Sequence, residues 1–295
     1  MNSKLVLGFP DSRRQAQAMA VAANLPYAEI SVHAFPDGES KLVLPLPLPA
    51  EIVLFRSLDR PNEKLVELIL AAASARRQGA TTLTLVAPYL CYMRQDIAFH
   101  PGEVISQKII GRLLADYFDA VITVDSHLHR IHHLVEAIPV AKEKAINLTA
   151  TQPMATFLQT RFSNAFLLGP DDESEQWVKA IASHEQLDYA VAHKQRFGDR
   201  EVKVTLPGVD LQNRDVVVLD DVASTGRTLL AAIEGMQVQR PASVSVLVTH
   251  ALFLGNALPD LKQAGVANIW SCDSIVHQTN AVSLAGLLAD AVQSL

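Results

Sequence analysis

The sequence predicts an α/β fold with two similar domains, each built on a largely parallel β-sheet flanked by helices. The first observation is that short, almost uninterrupted apolar runs recur along the chain, which is typical of strands covered on both faces. The second is that helical patterns alternate with these runs, as βα units with right-handed crossovers require. The third is the length of 295 residues, which suits two domains of about 150 residues each.

The individual elements follow from local patterns. Predicted strands coincide with the apolar runs at 5–9, 52–55, 83–87, 120–124, 165–168, 216–219 and 244–248. Helical periodicity predicts helices over 62–78, 103–117 and 227–239. Pro61 at the start and Gly79 after the end delimit the first of these helices. The proline-rich segment 45–51 is expected to be an extended connection, because proline cannot donate in a central strand.

The domain boundary is predicted between residues 145 and 146. No proline- or glycine-rich linker separates the halves, but a charged segment at 141–144 follows a histidine-rich turn. The expected domains are therefore 1–145 and 146–295. Both halves have α/β patterns, although no strong internal repeat is visible in the sequence.

Composition excludes several classes of protein. The formal net charge of −6 argues against a general nucleic-acid-binding protein, which needs a basic face. The two cysteines, Cys91 and Cys272, are far apart and suggest neither a disulfide framework nor a thiolate zinc site. No signal-peptide core or membrane span is expected, since charges arrive early at the N-terminus and the longest uncharged run, 241–259, has a proline at each end. A cytoplasmic location is the expectation.

Two adjacent aspartates follow the apolar run 216–219 and indicate a ligand site. In open α/β sheets, ligands bind beyond the carboxyl ends of the strands, where Asp220 and Asp221 are expected. The next residues combine hydroxyl side chains with the start of a helix, an arrangement that suits an anion. An ordinary helix N-cap would explain one acid but not two at the end of a strand.

Four other stretches have simpler explanations when each is considered alone. Phe35-Pro-Asp-Gly-Glu is typical of a surface turn, Arg94-Gln-Asp of a solvated loop, and the Lys194–Arg196 pair of a basic hairpin tip. The four histidines in the stretch HLHRIHH, at 127, 129, 132 and 133, are compatible with a zinc site. No cysteine lies nearby, however, and a helix start is the simpler explanation of His132 and His133.

Taken together, these stretches resemble one enzyme family along nearly the full chain. The phosphate loop VVVLDDVASTGRT is similar to the one shared by phosphoribosyltransferases and ribose-phosphate diphosphokinases. The remaining motifs, FPDGE, APYLCYMRQD, PGEVISQK, TVDSHLHR, LLGPDDE, KQR, THALFLGNA and CDSI, occur in the order and spacing of the diphosphokinases. The resemblance implies two phosphoribosyltransferase-like domains. It also implies transfer of the β,γ-pyrophosphoryl group of ATP to ribose 5-phosphate.

The resemblance assigns residues to the ATP side of this reaction. Adenine would be bound by Phe35, Asp37 and Glu39 from a neighbouring subunit, so that the protein would be a homo-oligomer with a shared adenine pocket. The rest of the nucleotide would be held by Arg94, Gln95, Asp96 and His127. Mg²⁺ is the implied cofactor, associated with His127 and Asp171, and Asp172 is a further neighbour.

Residues for the other substrate and for catalysis are implied in the same way. Lys194 and Arg196 would stabilise the pyrophosphoryl group in transit. Ribose 5-phosphate would be bound by Asp220, Asp221, Ser224, Thr225, Gly226, Arg227 and Thr228.

The match departs from the family pattern in three places. Arg227 stands where a second glycine is usual, and Ser224 fills the third acidic position of the loop. The segment after Asp96 lacks an arginine-rich loop and is closer to the archaeal type of the family. A phosphoribosyltransferase and a non-catalytic nucleotide-binding homologue remain alternatives.

Overall fold

Two compact units make up the computed structural model of the protein, which describes residues 4–128, 130–196, 202–205 and 208–295. The side chains of 185, 194–196 and 202–205 lie outside this description. The first unit comprises Met1–Thr149 together with Leu284–Leu295, and the second comprises Ala150–Ser283.

The first unit alternates strands and helices along the chain. Its described elements are β1 (Lys4–Gly8), α1 (Arg13–Ala22), β2 (Tyr27–Glu29), β3 (Ser31–Ala34), β4 (Ser40–Val43), β5 (Glu51–Phe55), α2 (Pro61–Arg77), β6 (Thr82–Val86), α3 (Ser106–Tyr117), β7 (Ala120–Val124) and β8 (Ala145–Leu148).

A six-stranded parallel sheet with the order β2-β1-β5-β6-β7-β8 forms the centre of this unit. Strands β3 and β4 form a separate antiparallel hairpin. The core includes Leu7, Leu54 and Leu85, which are register partners on adjacent strands and are fully buried on one face of the sheet, while Val6 and Val53 are buried on the other face. This burial on both faces explains why the strands are continuous apolar runs.

The second unit has the same alternation. Its described elements are α4 (Thr151–Gln159), β9 (Phe166–Gly169), α5 (Glu175–Glu185), β10 (Tyr189–Val191), β11 (His193–Arg196), β12 (Val202–Thr205), β13 (Asp215–Ala223), α6 (Arg227–Gln237), β14 (Ser243–Ala251), α7 (Ala257–Gln263), β15 (Asn268–Cys272) and β16 (Asn280–Val282).

The two units share one topology. The second sheet is also parallel and has the order β10-β9-β13-β14-β15-β16. When the parallel strands of each unit are counted from its first, both sheets have the order 2-1-3-4-5-6. In both units an antiparallel hairpin, β3–β4 or β11–β12, is inserted between the second and third of these strands. The duplication is therefore visible in topology although the sequence shows no strong repeat.

The last helix, α8 (Ala285–Gln293), belongs to the first unit rather than to the second. It contacts α1, its Val292 carbonyl accepts a hydrogen bond from Lys4 Nζ, and Gln293 Nε2 donates to the carbonyl of Ala23. The predicted division at 145/146 differs from these units by four residues in the middle and by this returning helix. An amphipathic segment shows which face it buries but not which partner covers it.

The predicted α/β fold class is confirmed. The predicted strand 120–124 has the bounds of β7, and the predicted helix 62–78 is shifted by one residue from α2. The predicted strand 216–219 is too short, because β13 runs from Asp215 to Ala223. The predicted start of the helix 103–117 is three residues too early relative to α3. Across the described ranges, no helix combines the length and the apolar character that a bilayer span demands.

Candidate functional site

Three carboxylates lie close together where β9 and β13 end. Asp220 and Asp221 are residues of β13 itself, which pairs with β9 through Val216–Val218. Asp171 follows β9, and its charge reaches Asp220. Burial, followed by the charges of Asp221 and Asp171, raises the pKa of Asp220 well above its ordinary value. Like charges are therefore concentrated at this edge of the sheet, where a cation or a polyhydroxyl ligand would stabilise them.

A loop suited to an anion follows these acids. Gly226 has φ +72° and immediately precedes α6, which begins at Arg227. No side chain caps this helix start, which lies within the described residues, so the N-cap explanation is not supported. Ser224 and Thr228 are half-buried, whereas Thr225 and Arg227 are exposed. The backbone N–H groups and the positive end of α6 therefore make the loop a candidate phosphate site.

The neighbouring segment 252–257 stabilises this loop through backbone hydrogen bonds and packing. The N–H groups of Leu252 and Phe253 donate to the carbonyl of Ala223, at 3.1 and 2.8 Å, and that of Leu254 donates to the carbonyl of Ser224 at 2.9 Å. A Cβ at Gly226 would lie 3.3 Å from the Cβ of Ala257. Phe253 adopts φ +36°, which is uncommon for a bulky residue.

In the first unit, the loops after β6 and β7 are connected by an ion pair. Arg130 Nη1 lies 2.7 Å from Oδ1 of the buried Asp96. Gln95 donates from Nε2 to the carbonyl of Ile97 at 2.9 Å, and Arg94 is exposed. Sequence reasoning did not assign Arg130 a role, and an isolated arginine among histidines offers little signal.

His127 follows β7 and is half-buried, at the same sheet edge as the loop that carries Arg94. Next to it, Ser126 donates from both N–H and Oγ to Oδ1 of Asn147, which fixes the backbone before His127. The N–H groups of His132 and His133 both donate to Glu136 Oε1 and lower the pKa of that carboxyl. These two histidines thus begin a short helical turn. The zinc alternative also involves His129, which lies outside the described residues.

The stretch 35–39 forms the tip of the β3–β4 hairpin. The N–H of Phe35 donates to the carbonyl of Glu39 at 2.7 Å, and Asp37 Oδ1 accepts from the N–H of Glu39 at 3.1 Å. Phe35 is 41% exposed and makes an edge contact with His33 at 5.0 Å between ring centroids. The tip is thus an ordered turn that presents an aromatic ring to solvent.

Lys194 and Arg196 lie on β11, in the second hairpin, but their side chains are outside the described part of the structure. The register pairs Lys194 with Val204 and Arg196 with Val202. Positions two apart on a strand share one face in a regular ladder, and 194 and 196 are two apart in this register. Just before them, His193 Nδ1 lies 2.7 Å from Asp172 Oδ1, which connects the hairpin to the segment after β9.

Comparison with known proteins extends these observations to the whole chain. Residues 5–117 match the family model of the N-terminal domain of ribose phosphate pyrophosphokinase, and residues 142–286 match that of the phosphoribosyl transferase domain. The ribose-phosphate pyrophosphokinase of Methanopyrus kandleri is 30% identical over 99% of both chains. Ribose-phosphate pyrophosphokinase 2 of Archaeoglobus fulgidus is 30% identical over 97% of this chain and 98% of its own.

A solved structure shares the fold. The phosphoribosylpyrophosphate synthetase of Mycobacterium smegmatis matches with a TM-score of 0.84, at 18% identity, over 99% of this chain and 98% of that one. Its likeness therefore extends over both units. With both family models matched and archaeal relatives aligned from end to end, the chain belongs to the ribose-phosphate pyrophosphokinase family, which is the diphosphokinase family that the motifs resemble.

Proposed function

We propose that this chain is a Mg²⁺-dependent ribose-phosphate diphosphokinase that converts ATP and ribose 5-phosphate to 5-phosphoribosyl 1-pyrophosphate and AMP. The anomeric hydroxyl oxygen of the sugar bonds to Pβ of ATP. The bond between Pβ and the oxygen that bridges it to Pα breaks, AMP leaves with that oxygen, and the hydroxyl proton is released.

The observation that carries the proposal is the first unit. A phosphoribosyltransferase needs the phosphate loop of the second unit, but it has no use for residues 5–117, which match the N-terminal domain of ribose phosphate pyrophosphokinase. This same unit contains the ordered hairpin tip with Phe35 and the connected loops after β6 and β7. Such an arrangement suits a second substrate that is a nucleotide.

Ribose 5-phosphate is assigned to the end of β13. The 5-phosphate would be bound by the N–H groups and hydroxyls of the loop from Ser224 to Thr228, with Gly226 and Arg227 between them. Asp220 and Asp221 would accept hydrogen bonds from the ribose hydroxyls. This binding would satisfy the carboxylates at a position where burial, followed by the charges of Asp221 and Asp171, raises the pKa of Asp220.

ATP is assigned to the first unit. Arg94, Gln95, Asp96 and His127 would bind the nucleotide at the carboxyl ends of β6 and β7. Pyrophosphoryl transfer leaves little covalent work for the protein, so that positioned cations supply most of the catalysis. Lys194 and Arg196, two residues apart on β11, are proposed to stabilise the charge on the oxygens of the moving group.

The residues present are compatible with Mg²⁺. No group of three or more His, Cys, Asp or Glu side chains in the described ranges is arranged to hold a metal alone. Mg²⁺ sites usually consist of one or two carboxylates completed by water and phosphate oxygens, so Asp171 beside Asp220 is compatible with such a site. When bound, the ion would neutralise charge on the ATP phosphates.

A shared adenine pocket would explain the position of the hairpin. β2, which precedes it, is separated from β6 by β1 and β5, roughly 14 Å across the sheet at the usual strand spacing. Phe35, Asp37 and Glu39 would therefore complete the pocket of a neighbouring subunit in a homo-oligomer. We also infer a cytoplasmic location, in which the two buried cysteines stay as thiols.

The test is to incubate the protein with Mg-ATP and ribose 5-phosphate and to quantify AMP by chromatography and the pyrophosphorylated sugar by ³¹P NMR. Equal amounts of both products are expected, and none when either substrate or Mg²⁺ is omitted. AMP without the sugar product would indicate hydrolysis and contradict the proposal. Consumption of 5-phosphoribosyl 1-pyrophosphate with a nucleobase, and no formation from ATP, would support a phosphoribosyltransferase instead.

A further inference from the structure

We propose that Ser40, Glu67 and Arg56 are positioning residues that hold the adenine-binding hairpin tip in its working geometry. The inference rests on the proposed function, because it concerns how the hairpin is presented to ATP. None of the three residues is assigned to substrate contact.

A buried ionic network lies where β5 ends. Arg56, which is 5% exposed, directly follows β5, and its Nη2 lies 2.6 Å from Glu67 Oε2 on α2. The same guanidinium reaches Asp11 Oδ2 at 3.2 Å through both Nε and Nη2. It also lies over the ring of Phe9, 4.1 Å from the centroid. Because the acids, a ring and the backbone surround it, Arg56 holds the carboxylate of Glu67 in one orientation.

A second cation fixes the other side of this network. Lys64 Nζ lies 2.7 Å from Asp59 Oδ1 and 3.2 Å from Asp11 Oδ2, and it donates to the carbonyl of Ser57 at 2.9 Å. Both cations are thus satisfied by acids of the network. We therefore do not interpret Arg56 and Lys64 as phosphate ligands, although they lie at the carboxyl edge of the sheet.

The hairpin is connected to this network by one hydrogen bond. Ser40 Oγ donates to Glu67 Oε1 at 2.6 Å, while Glu67 Oε2 accepts from Arg56. In the described part of the chain, it is the one side-chain hydrogen bond from residues 31–43 to the rest of the unit. Ser40 is the first residue of β4 and directly follows Glu39. The hydrogen bond from Ser40 to Glu67 therefore determines the position of the tip.

A two-stranded hairpin outside a sheet needs such an anchor. Among the described strands, β3 and β4 pair only with each other, and such ribbons are marginally stable alone. Val32 and Leu42, which are cross-strand partners, pack against the core and hold the middle of the hairpin, whereas Ser40 lies next to the tip. The hydrogen bonds of the tip are internal, from Phe35 to Glu39 and from Gly38 to Phe35. We conclude that the Ser40–Glu67 bond orients a preformed tip.

The test compares Ser40→Ala with Ser40→Thr, which keeps a hydroxyl donor, and with Ser243→Ala as a matched control. Ser243 also opens a strand and donates to a carboxylate, Asp215, at 2.6 Å, but it lies at the amino end of β14. Steady-state AMP release is measured with both substrates varied, and thermal unfolding confirms that each variant is folded.

We expect Ser40→Ala to raise the KM for ATP about tenfold, which corresponds to about 1.4 kcal/mol. The KM for ribose 5-phosphate should change by less than about twofold, Ser40→Thr should recover most of the loss, and Ser243→Ala should resemble the wild type. An unchanged KM for ATP, or an equal rise for both substrates, would overturn the positioning role.

Calorimetric titration with Mg-ATP alone distinguishes this inference from the proposed function. A wild-type protein that binds ATP but forms no AMP would overturn the proposed function, and weaker ATP binding by Ser40→Ala would still support the network. Identical dissociation constants for the wild type and Ser40→Ala would overturn the network whatever the activity.

Discussion

At the scale of residues, Asp220 is the clearest case in which the proposed ligand binding opposes stability. It lies beside Asp221 on β13 and feels the charge of Asp171, and burial together with these charges raises its pKa. A group whose pKa rises on folding stabilises the fold at low pH and loses that contribution as the pH increases through the raised value. Ionisation of Asp220 therefore costs folding free energy, and a ligand or cation that shares the site would reduce this cost.

Asp220→Asn should change the free energy of unfolding and the binding of ribose 5-phosphate in opposite directions. We expect Asp220→Asn, without divalent ions at neutral pH, to increase the free energy of unfolding by on the order of 1 kcal/mol. The KM for ribose 5-phosphate should rise by about tenfold or more, because a hydrogen bond to a charged acceptor is lost. Thermal unfolding and steady-state kinetics measure the two effects.

Asp215→Asn is the matched control, since Asp215 is exposed at the opposite end of β13. It should leave the KM for ribose 5-phosphate unchanged. A stabilised Asp220→Asn variant with wild-type kinetics would remove Asp220 from the substrate site.

Lys194 is expected to act in the transition state rather than in substrate binding. Lys194→Ala should lower turnover by about 100- to 1000-fold, roughly 3–4 kcal/mol, with little change in either KM. Lys194→Arg should restore only part of the activity, because a planar fork does not replace a compact ammonium. Near-normal turnover of the alanine variant with a large rise in the KM for ribose 5-phosphate would make Lys194 a binding residue.

At the scale of elements, the loop proposed to bind the 5-phosphate, Ser224 to Thr228, depends on one glycine. Gly226 combines φ +72° with a position where a Cβ would lie 3.3 Å from Ala257, so Gly226→Ala introduces strain and crowding together. We expect about 1–2 kcal/mol of destabilisation and a rise in the KM for ribose 5-phosphate but not for ATP.

Gly265→Ala is the matched control that separates the loss of stability from the effect on the KM for ribose 5-phosphate. Gly265 is the residue to change. It has φ +86° in the same unit, but the nearest atom to its Cβ would be the side-chain Nε2 of Gln237, at 3.6 Å. This variant should lose similar stability and keep both KM values. If both glycine variants raise the KM for ribose 5-phosphate equally, general destabilisation explains the effect and the loop has no special role.

The turn between β15 and β16 should make the second unit sensitive to acid. Burial lowers the pKa of His277, whose Nδ1 accepts from the N–H of Thr279 at 3.3 Å and whose ring lies 5.3 Å from that of Phe253. Because the folded state prefers the neutral ring, its stability should decrease as the pH falls below the ordinary histidine value of about 6.5.

His277→Gln should unfold with less dependence on pH than the wild type. The difference between their unfolding temperatures is compared at pH 7.5 and pH 5.5. In this difference, the contributions of the titrating residues that both proteins share cancel. The same difference at both values would show that His277 makes no contribution to acid sensitivity.

Elements whose own sequence determines their burial could be predicted, and elements defined by distant partners could not. β7 was predicted with its observed bounds, because all five of its residues are buried and all but Thr123 are apolar. The extent of β13 was missed because Asp220 and Asp221 interrupt the apolar run while their backbone keeps pairing with β14. Likewise, no local signal in 285–293 shows that α8 packs in the first unit. Phe253 supports the phosphate loop through a backbone N–H, which is independent of residue type.

At the scale of the whole molecule, one topology carries two kinds of hairpin. The β3–β4 hairpin carries the residues proposed for adenine, and the topologically equivalent β11–β12 hairpin carries Lys194 and Arg196. Both hairpins stand outside their sheets, so their tips can diverge in sequence without disturbing the parallel core. The two tips accordingly differ in sequence while the strand order is shared.

A shared adenine pocket predicts that two inactive chains can restore activity together. Asp37→Ala removes a residue of the hairpin tip that would complete the adenine pocket of a neighbouring chain. Lys194→Ala removes the residue proposed to stabilise the pyrophosphoryl group in the active site of its own chain. In mixed oligomers, some sites combine an intact Lys194 from one chain with an intact tip from the other, so up to about a quarter of the sites should recover if chains mix at random in a dimer.

The two variants are mixed after reversible dissociation, and AMP release is compared with that of each variant treated alone. Asp210→Ala, an exposed change outside both hairpins, replaces Asp37→Ala in a control mixture and should give activity from its own sites without mixing. No recovery in a demonstrated hetero-oligomer, or full activity of the wild type as a monomer at assay concentration, would rule out a pocket completed by a neighbouring chain.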